Sequence, residues 1–214
     1  LKTDPYAFIQ RNTTVMSPPH VPEIRLHLAS EAHELWLKTE DELQEIGLPP
    51  PFWAFAWAGG QGLARYILDH PEVVAGKRVV DFASGSGIVA ICAALAGAVN
   101  VTAVDIDPWA KTAIALNAAE NNVRVDFMSN DIVGKAIDAD VLLAGDVFYD
   151  GAFAALLTPW LSTLKRNGVT VLIGDPGRAY LPQNLLEACA IYQVPVTRVL
   201  EDSDVKKTTV WTFV

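Results

Sequence analysis

Four acidic residues recur in comparable places along this chain. Asp81, Asp105, Asp131 and Asp146 each follow a short apolar run, at Val79–Val80, Val101–Val104, Val123–Phe127 and Val141–Ala144. Such runs, set between helical stretches, read as buried strands. In open α/β sheets ligands bind outside the carboxyl ends of the strands, so each of these acids stands where a ligand would lie. Acids there repel phosphate and attract cations. One like-charge pair about 4 Å apart costs roughly 4 kcal/mol at an effective dielectric near 20.

The first run leads into VVDFASGSGIVA, where Gly85, Gly87 and Ala90 fit the pattern G-x-G-x-x-A. Glycines give a tight turn and let a ligand approach the backbone. A helix starting near Ile88 points its N-terminal amides at that ligand. Dinucleotide sites share the pattern, and Asp81 is the discriminating residue. Its carboxylate opposes a pyrophosphate and suits S-adenosylmethionine, which carries a sulfonium, an ammonium and no phosphate. The plainer reading of Asp81 is that it only binds loop amides. Asp105, in VDIDP, is placed to accept from both ribose hydroxyls of either cofactor, while Asp107 before Pro108 reads as a helix N-cap. Asp131 can accept from an adenine amino group with Ile132 on the ring face, or can simply be a turn residue.

The stretch LLAGDVFYDG has two acids bracketing two aromatics. Asp146 can capture and orient an amine by accepting its N–H bonds. Tyr149 can wall a channel for a cationic nitrogen. Phe148 reads as packing inward, and Asp150 as the cap of the next helix. The turn GDPGR lies at the same sheet edge. It either lines a substrate groove or joins Asp175 to Arg178 as a pair. In the alternating run Trp53, Phe55, Trp57, the last faces the cofactor.

These residues need an α/β fold to position them. A helix is expected over Ser30–Ile46, ended by Gly47-Leu-Pro-Pro-Pro51, and another from Gly60 to about Leu68. Further helices are expected over Ile88–Ala96, Trp109–Glu120, Ala152–Leu164 (with Pro159 kinking or interrupting it) and Pro182–Ala190. Val169–Ile173 completes the run of parallel strands. Tyr192–Leu200 and Thr208–Val214 follow with only a turn between them, which marks an antiparallel pair. The expected fold is therefore Rossmann-like and mostly parallel, closed by a C-terminal antiparallel hairpin. Residues 1–50 form an N-terminal arm with a helix packed on the core, and 51–214 the catalytic part of a single domain.

The chain has 214 residues, 51% of them hydrophobic, and a formal charge of −9. Its basic residues are scattered, which argues against a nucleic-acid partner. No apolar run approaches the roughly 20 residues of a membrane span. Cys92 and Cys189 fall in Ala-rich segments that read as helix and suggest buried thiols in a reducing compartment. The four histidines have no zinc-like spacing, so no metal is expected. A cytoplasmic monomer is expected, or a mitochondrial matrix protein if the chain is a processed eukaryotic form.

VVDFASGSG, AVDIDP and SNDI follow the order and spacing of class I, seven-β-strand methyltransferases. More narrowly, PFWAFAWAGGQGLARYILDHPEVVAGKRVVDFASGSG, GDVFYD and VLIGDPGR resemble the electron-transfer flavoprotein β-subunit lysine methyltransferases and their bacterial relatives. FIQRNT and VPEIRL extend the likeness over nearly the whole chain. The resemblance implies S-adenosylmethionine as cofactor and protein lysines as substrate. In relatives these belong to the flavoprotein β subunit and, in bacteria, to the ribosomal stalk protein. It also implies a D-x-x-Y motif at Asp146 and Tyr149, cofactor contact by Trp57, and Gly145 and Ile132 lining the adenine and methionine.

Four rivals remain on the residues, one of them a non-catalytic binding module that keeps the cofactor fold, which the intact strand-end acids disfavour. An NAD(P)-dependent oxidoreductase would not need Asp81. A nucleic-acid amino-methyltransferase would resemble its kin in a Pro-Pro-Tyr motif where this chain has Val147-Phe148. A small-molecule N-methyltransferase would share the same core chemistry.

Overall fold

In the computed structural model the apolar runs fold as strands and most of the Ala-rich stretches as helices; it describes residues 4–29, 50–196 and 203–214. In chain order the elements are α1 (Pro5–Asn12), β1 (Thr14–Met16), β2 (Leu26–Leu28), α2 (Ala58–Asp69), β3 (Arg78–Phe82), α3 (Ile88–Leu95), β4 (Asn100–Val104), α4 (Pro108–Glu120), β5 (Asp126–Met128), β6 (Val141–Gly145), α5 (Gly151–Arg166), β7 (Thr170–Asp175), β8 (Leu186–Pro195) and β9 (Val205–Phe213). The helix expected over Ser30–Ile46 lies outside the described residues.

Seven strands form one sheet in the order β5-β4-β3-β6-β7-β9-β8. The first five are parallel, and β9 runs antiparallel between β7 and β8. β3 and β6 are neighbours in the sheet although β4 and β5 separate them in the chain. The strand order therefore reverses between them, and a crevice opens at their carboxyl ends. Both faces are covered, as a parallel sheet requires. One core joins Leu63, Ile67, Ile91 and Ile114 to Ile9, Ile24 and Leu26 from the first 29 residues. The other packs Leu157, Trp160 and Leu161 of α5 on Leu142, Val171 and Ile173.

Local chemistry sets the helix starts. The Asp107 carboxylate accepts from Trp109 N–H at 2.8 Å, with Pro108 in the first helical turn. Asp150 accepts from Phe153 N–H at 2.8 Å. α5 runs through Pro159 to Arg166 without a break. The helix expected over Pro182–Ala190 does not form: Gln183–Leu185 is a 3-10 turn, and Leu186–Pro195 is the edge strand paired with β9. Pairing along most of β9 outweighs the helical propensity of Leu, Glu and Ala, which is a weak prior. Cys189 is accordingly exposed on a strand, whereas Cys92 is buried in α3.

Two asparagines one turn apart, Asn117 in α4 and Asn121 at its C-terminal cap, hold β2 and the residue before it. Asn121 accepts from Arg25 N–H at 2.9 Å and donates to Arg25 C=O at 2.6 Å. Asn117 accepts from His27 N–H at 2.7 Å and donates to the carbonyl of Ser86, in the glycine loop, at 2.8 Å.

α2 crosses the ends of β6 and β7 on glycine. A Cβ added to Gly59 would sit 2.6 Å from Asp146 Oδ2 and closer still to Gly174 O. One added to Gly145 would sit 2.8 Å from Gly60 Cα. Backbone meets backbone here, and no side chain fits between.

Candidate functional site

A cleft of about 610 Å³ opens at the carboxyl ends of β3, β4 and β6, within the usual size of small-molecule sites. Trp57, Asp81, Gly85, Asp105, Asp131, Gly145, Asp146 and Tyr149 all line it. Gly87 and Ile132 do not. Gly87, with φ 81°, caps the start of α3 against Ile114. Ile132 is buried in the core beside α5, and its neighbour Val133 faces the cleft instead.

The glycine loop is tied to carboxylates. Asp81 is buried, and its Oδ2 accepts from the Ser84 hydroxyl and, at 3.1 Å, from Ala90 N–H. Burial pushes the Asp81 carboxyl up to about 7. Asp105 accepts from Gly85 N–H at 2.8 Å and from Asp107 N–H at 2.9 Å. Burial raises Asp105 as well, and pushes Asp107 up to about 6. The amides of Gly85 and Ala90, which a dinucleotide loop would offer to phosphate, are thus spent on acids. Asp131 is exposed and accepts from Val133 N–H at 2.9 Å.

Aromatic rings run along the mouth. Phe52 lies 6.0 Å from both Trp57 and Tyr149, and Tyr149 lies 6.4 Å from Phe153, between ring centroids. The Trp57 indole donates to Phe52 C=O at 3.0 Å. Tyr149 is 56% exposed, while Phe148 is fully buried. Partial burial, reinforced by Asp105 and Asp150, raises the Tyr149 phenol.

Asp146 directly follows β6 with φ 58°, a left-handed conformation that, after glycine, Asn and Asp adopt most readily. Its Oδ2 accepts from the amides of Gly59 and, at 3.3 Å, Gly60. Its Oδ1 accepts from Arg178 Nε at 2.8 Å and pairs with the terminal nitrogen at 2.7 Å. A carboxylate offers about four lone-pair positions, and two donors among the described residues meet each oxygen. Asp175 instead accepts from the backbone amides of Gly177 and Arg178, both at 2.7 Å. The Arg178 side chain therefore crosses to Asp146.

Reasoning from sequence missed Phe52, Ala83 and Ile106 as lining residues. Ala83 is left-handed at φ 53°, and alanine carries no signal for that conformation. Exposed Ile106 stood in plain view between two acids.

The cleft suits an organic cation without phosphate. The lining residues fit S-adenosylmethionine: Asp105 would hold the ribose hydroxyls, Asp131 and Val133 would lie at the adenine, and Asp81, Gly85 and Trp57 would face the methionine. When bound, that cofactor supplies a methyl group activated on sulfonium. The fold and the cleft together define a class I S-adenosylmethionine-dependent methyltransferase.

Solved structures share the fold. A ribosomal protein L11 methylase from Lactobacillus delbrueckii subsp. bulgaricus is 20% identical with a TM-score of 0.51, over 74% of this chain and 80% of that one. A magnesium protoporphyrin IX methyltransferase from Synechocystis PCC 6803, solved with bound S-adenosylhomocysteine, is 14% identical with a TM-score of 0.52, over 72% and 82%. The family model described as ribosomal protein L11 methyltransferase matches residues 65–174. Electron transfer flavoprotein beta subunit lysine methyltransferases are 38% identical in Xenopus laevis, over 99% of this chain and 87% of the relative, and 38% identical in Homo sapiens, over 97% and 81%. The chain belongs to the electron transfer flavoprotein β subunit lysine methyltransferase family.

Proposed function

We propose that this enzyme transfers the methyl group of S-adenosylmethionine to lysine side chains of a protein, and that the protein is the electron transfer flavoprotein β subunit. The observation that carries the reading is the arrangement at the cleft mouth. There Asp146-x-x-Tyr149 follows β6, with Tyr149 exposed in a row of rings. Aromatic faces accept a long aliphatic stem ending in a cationic nitrogen. The relatives' likeness over nearly the whole chain supports the same substrate.

A lysine amine has a reference pKa near 10.4, so its neutral form costs about 4.6 kcal/mol at pH 7. Desolvation against the rings of Phe52, Tyr149 and Phe153 favours that neutral form. The walls also hold the amine in line with the methyl carbon, and alignment supplies most of the acceleration.

The test uses tritiated S-adenosylmethionine with purified electron transfer flavoprotein, followed by mass spectrometry of the digested β subunit. Label on β-subunit lysines is the expected result. In a whole lysate, label confined to nucleic acid or small molecules would overturn the protein-lysine reading. The L11 methyltransferase family model favours a ribosomal protein as a second substrate, and purified L11 forms the second arm.

A further inference from the structure

We propose that Arg178 is a positioning residue for methyl transfer: it keeps the Asp146 carboxylate neutralised, so that the incoming lysine amine sheds its proton instead of being held as a cation. This rests on the lysine reading above. A bare carboxylate beside the target nitrogen would work against the reaction, because it stabilises the protonated amine. In this chain the carboxylate is not bare. Arg178 places Nε and a terminal nitrogen on Oδ1 at 2.8 and 2.7 Å, and the start of α2 covers Oδ2 with two amides. The pair is largely enclosed, with side chains 23% and 10% exposed.

Arg178 is built to stay there. Its own amide and that of Gly177 are pinned to Asp175 Oδ1 at 2.7 Å each, and Gly177 turns the chain with φ 91°. The guanidinium is always charged and its planar fork is pre-organised for a carboxylate. Asp146 therefore serves as the fixed corner joining the end of β6, α2 and the Arg178 turn, and Arg178 offsets its charge; the carboxylates of Asp175, which holds the Arg178 amide, and of Asp105 and Asp150, which act on Tyr149, are unchanged by the Arg178 variants. The amine nitrogen loses one proton to solvent and then forms its bond to the methyl carbon. The carbon–sulfur electron pair leaves with sulfur, and the nitrogen ends as a methylammonium. A neutral pair does not retain that product.

The experiment compares wild type, R178Q and R178K on purified electron transfer flavoprotein, measuring kcat from pH 6.5 to 10 and S-adenosylhomocysteine affinity. A unit charge about 6 Å from an amine, at an effective dielectric near 20, moves its ionisation by about two pH units. The R178Q profile is expected to move about one to two pH units upward, which is about 10- to 100-fold slower at pH 7 with recovery near pH 10. R178K is expected to keep the wild-type profile whatever its absolute rate. Affinity for S-adenosylhomocysteine is expected to stay within about threefold in both, because the contacts argued for the cofactor come from other residues. R178Q slowed equally at every pH would overturn the inference and leave a structural role. So would a lower KM with an unmoved profile, the sign of a placeholder displaced by lysine. If R178Q fails to bind S-adenosylhomocysteine, a displaced profile in R178K overturns the inference and a wild-type profile supports it. A wild type active on lysine with either contrary result sinks Arg178 alone; a wild type inactive on protein overturns both readings.

Discussion

Replacing Gly59 by alanine tests whether the glycine crossing of α2 holds the site together. The new Cβ would lie 2.6 Å from Asp146 Oδ2 and nearer still to Gly174 O. The second neighbour is strand backbone, so no rotamer change relieves it. Helix and strand ends must part by roughly 1 Å to restore ordinary contact; overpacking of this kind costs about 1–3 kcal/mol. Parting also weakens the amide bonds from Gly59 and Gly60 to a carboxylate, each worth about 1.5–3 kcal/mol. Alanine returns about 1 kcal/mol of helix propensity. The net loss is about 2–5 kcal/mol, or a melting temperature lowered by about 5–15 °C for a chain of this size. Gly60→Ala is the control one residue along the helix. Its Cβ would meet only the Ile88 Cγ2 methyl, at 3.2 Å, which a side chain can yield, and its melting point is expected within about 3 °C of wild type. Differential scanning calorimetry decides the matter. A Gly59→Ala protein melting as high as the Gly60→Ala protein would refute the reasoning.

Two further outcomes follow from the acids. Burial raises Asp81 from 3.8 to about 7, so between those values the folded chain holds a proton that the unfolded chain has released. Stability from this group therefore falls as pH rises toward 7, by at most about 1.4 kcal/mol or 3–5 °C per pH unit. Melting curves from pH 5 to 7.5 should show that slope in wild type and less of it in Asp81→Asn; equal slopes would contradict the assignment. Asp150→Ala removes the cap bond to Phe153 N–H, with an expected loss of about 1 kcal/mol and 2–4 °C in melting temperature. S-adenosylhomocysteine affinity, measured by isothermal titration, should stay unchanged; a large loss there would mean that Asp150 touches the ligand.

The parallel half of the fold was legible because its signals are local. Val79–Phe82 and Val141–Ala144 are short apolar runs, and Pro108 and Gly97 punctuate the helices. At the C-terminal edge the antiparallel pair was legible, but the start of its first strand was not. LEACAIYQ has helix-forming composition, and only pairing with β9, distant contact rather than local preference, makes it a strand. In the site, the acids were found because each ends a strand. The partner of Arg178 was not, because Asp175 is three residues away in sequence while Asp146, 32 residues away, is the one its side chain reaches. Gly87 and Ile132 fit their motifs but turn away from the cleft. A pattern of residue types states which positions are near a ligand, and the local turn decides which of them face it: Gly87 caps α3 and Ile132 packs into the core beside α5.

The Asn117 amide group has two unlike ends, and the fold uses both. Its oxygen accepts a hydrogen bond from the His27 amide of β2, and its nitrogen donates one to the carbonyl of Ser86 in the glycine loop. An aspartate of the same shape has no proton to give at neutral pH, and a leucine of similar bulk has neither end. The first 29 residues and the cofactor loop thus share one rivet. Trimming the chain down to its methyltransferase core would leave the oxygen of Asn117, whose nitrogen holds the loop, without its His27 partner.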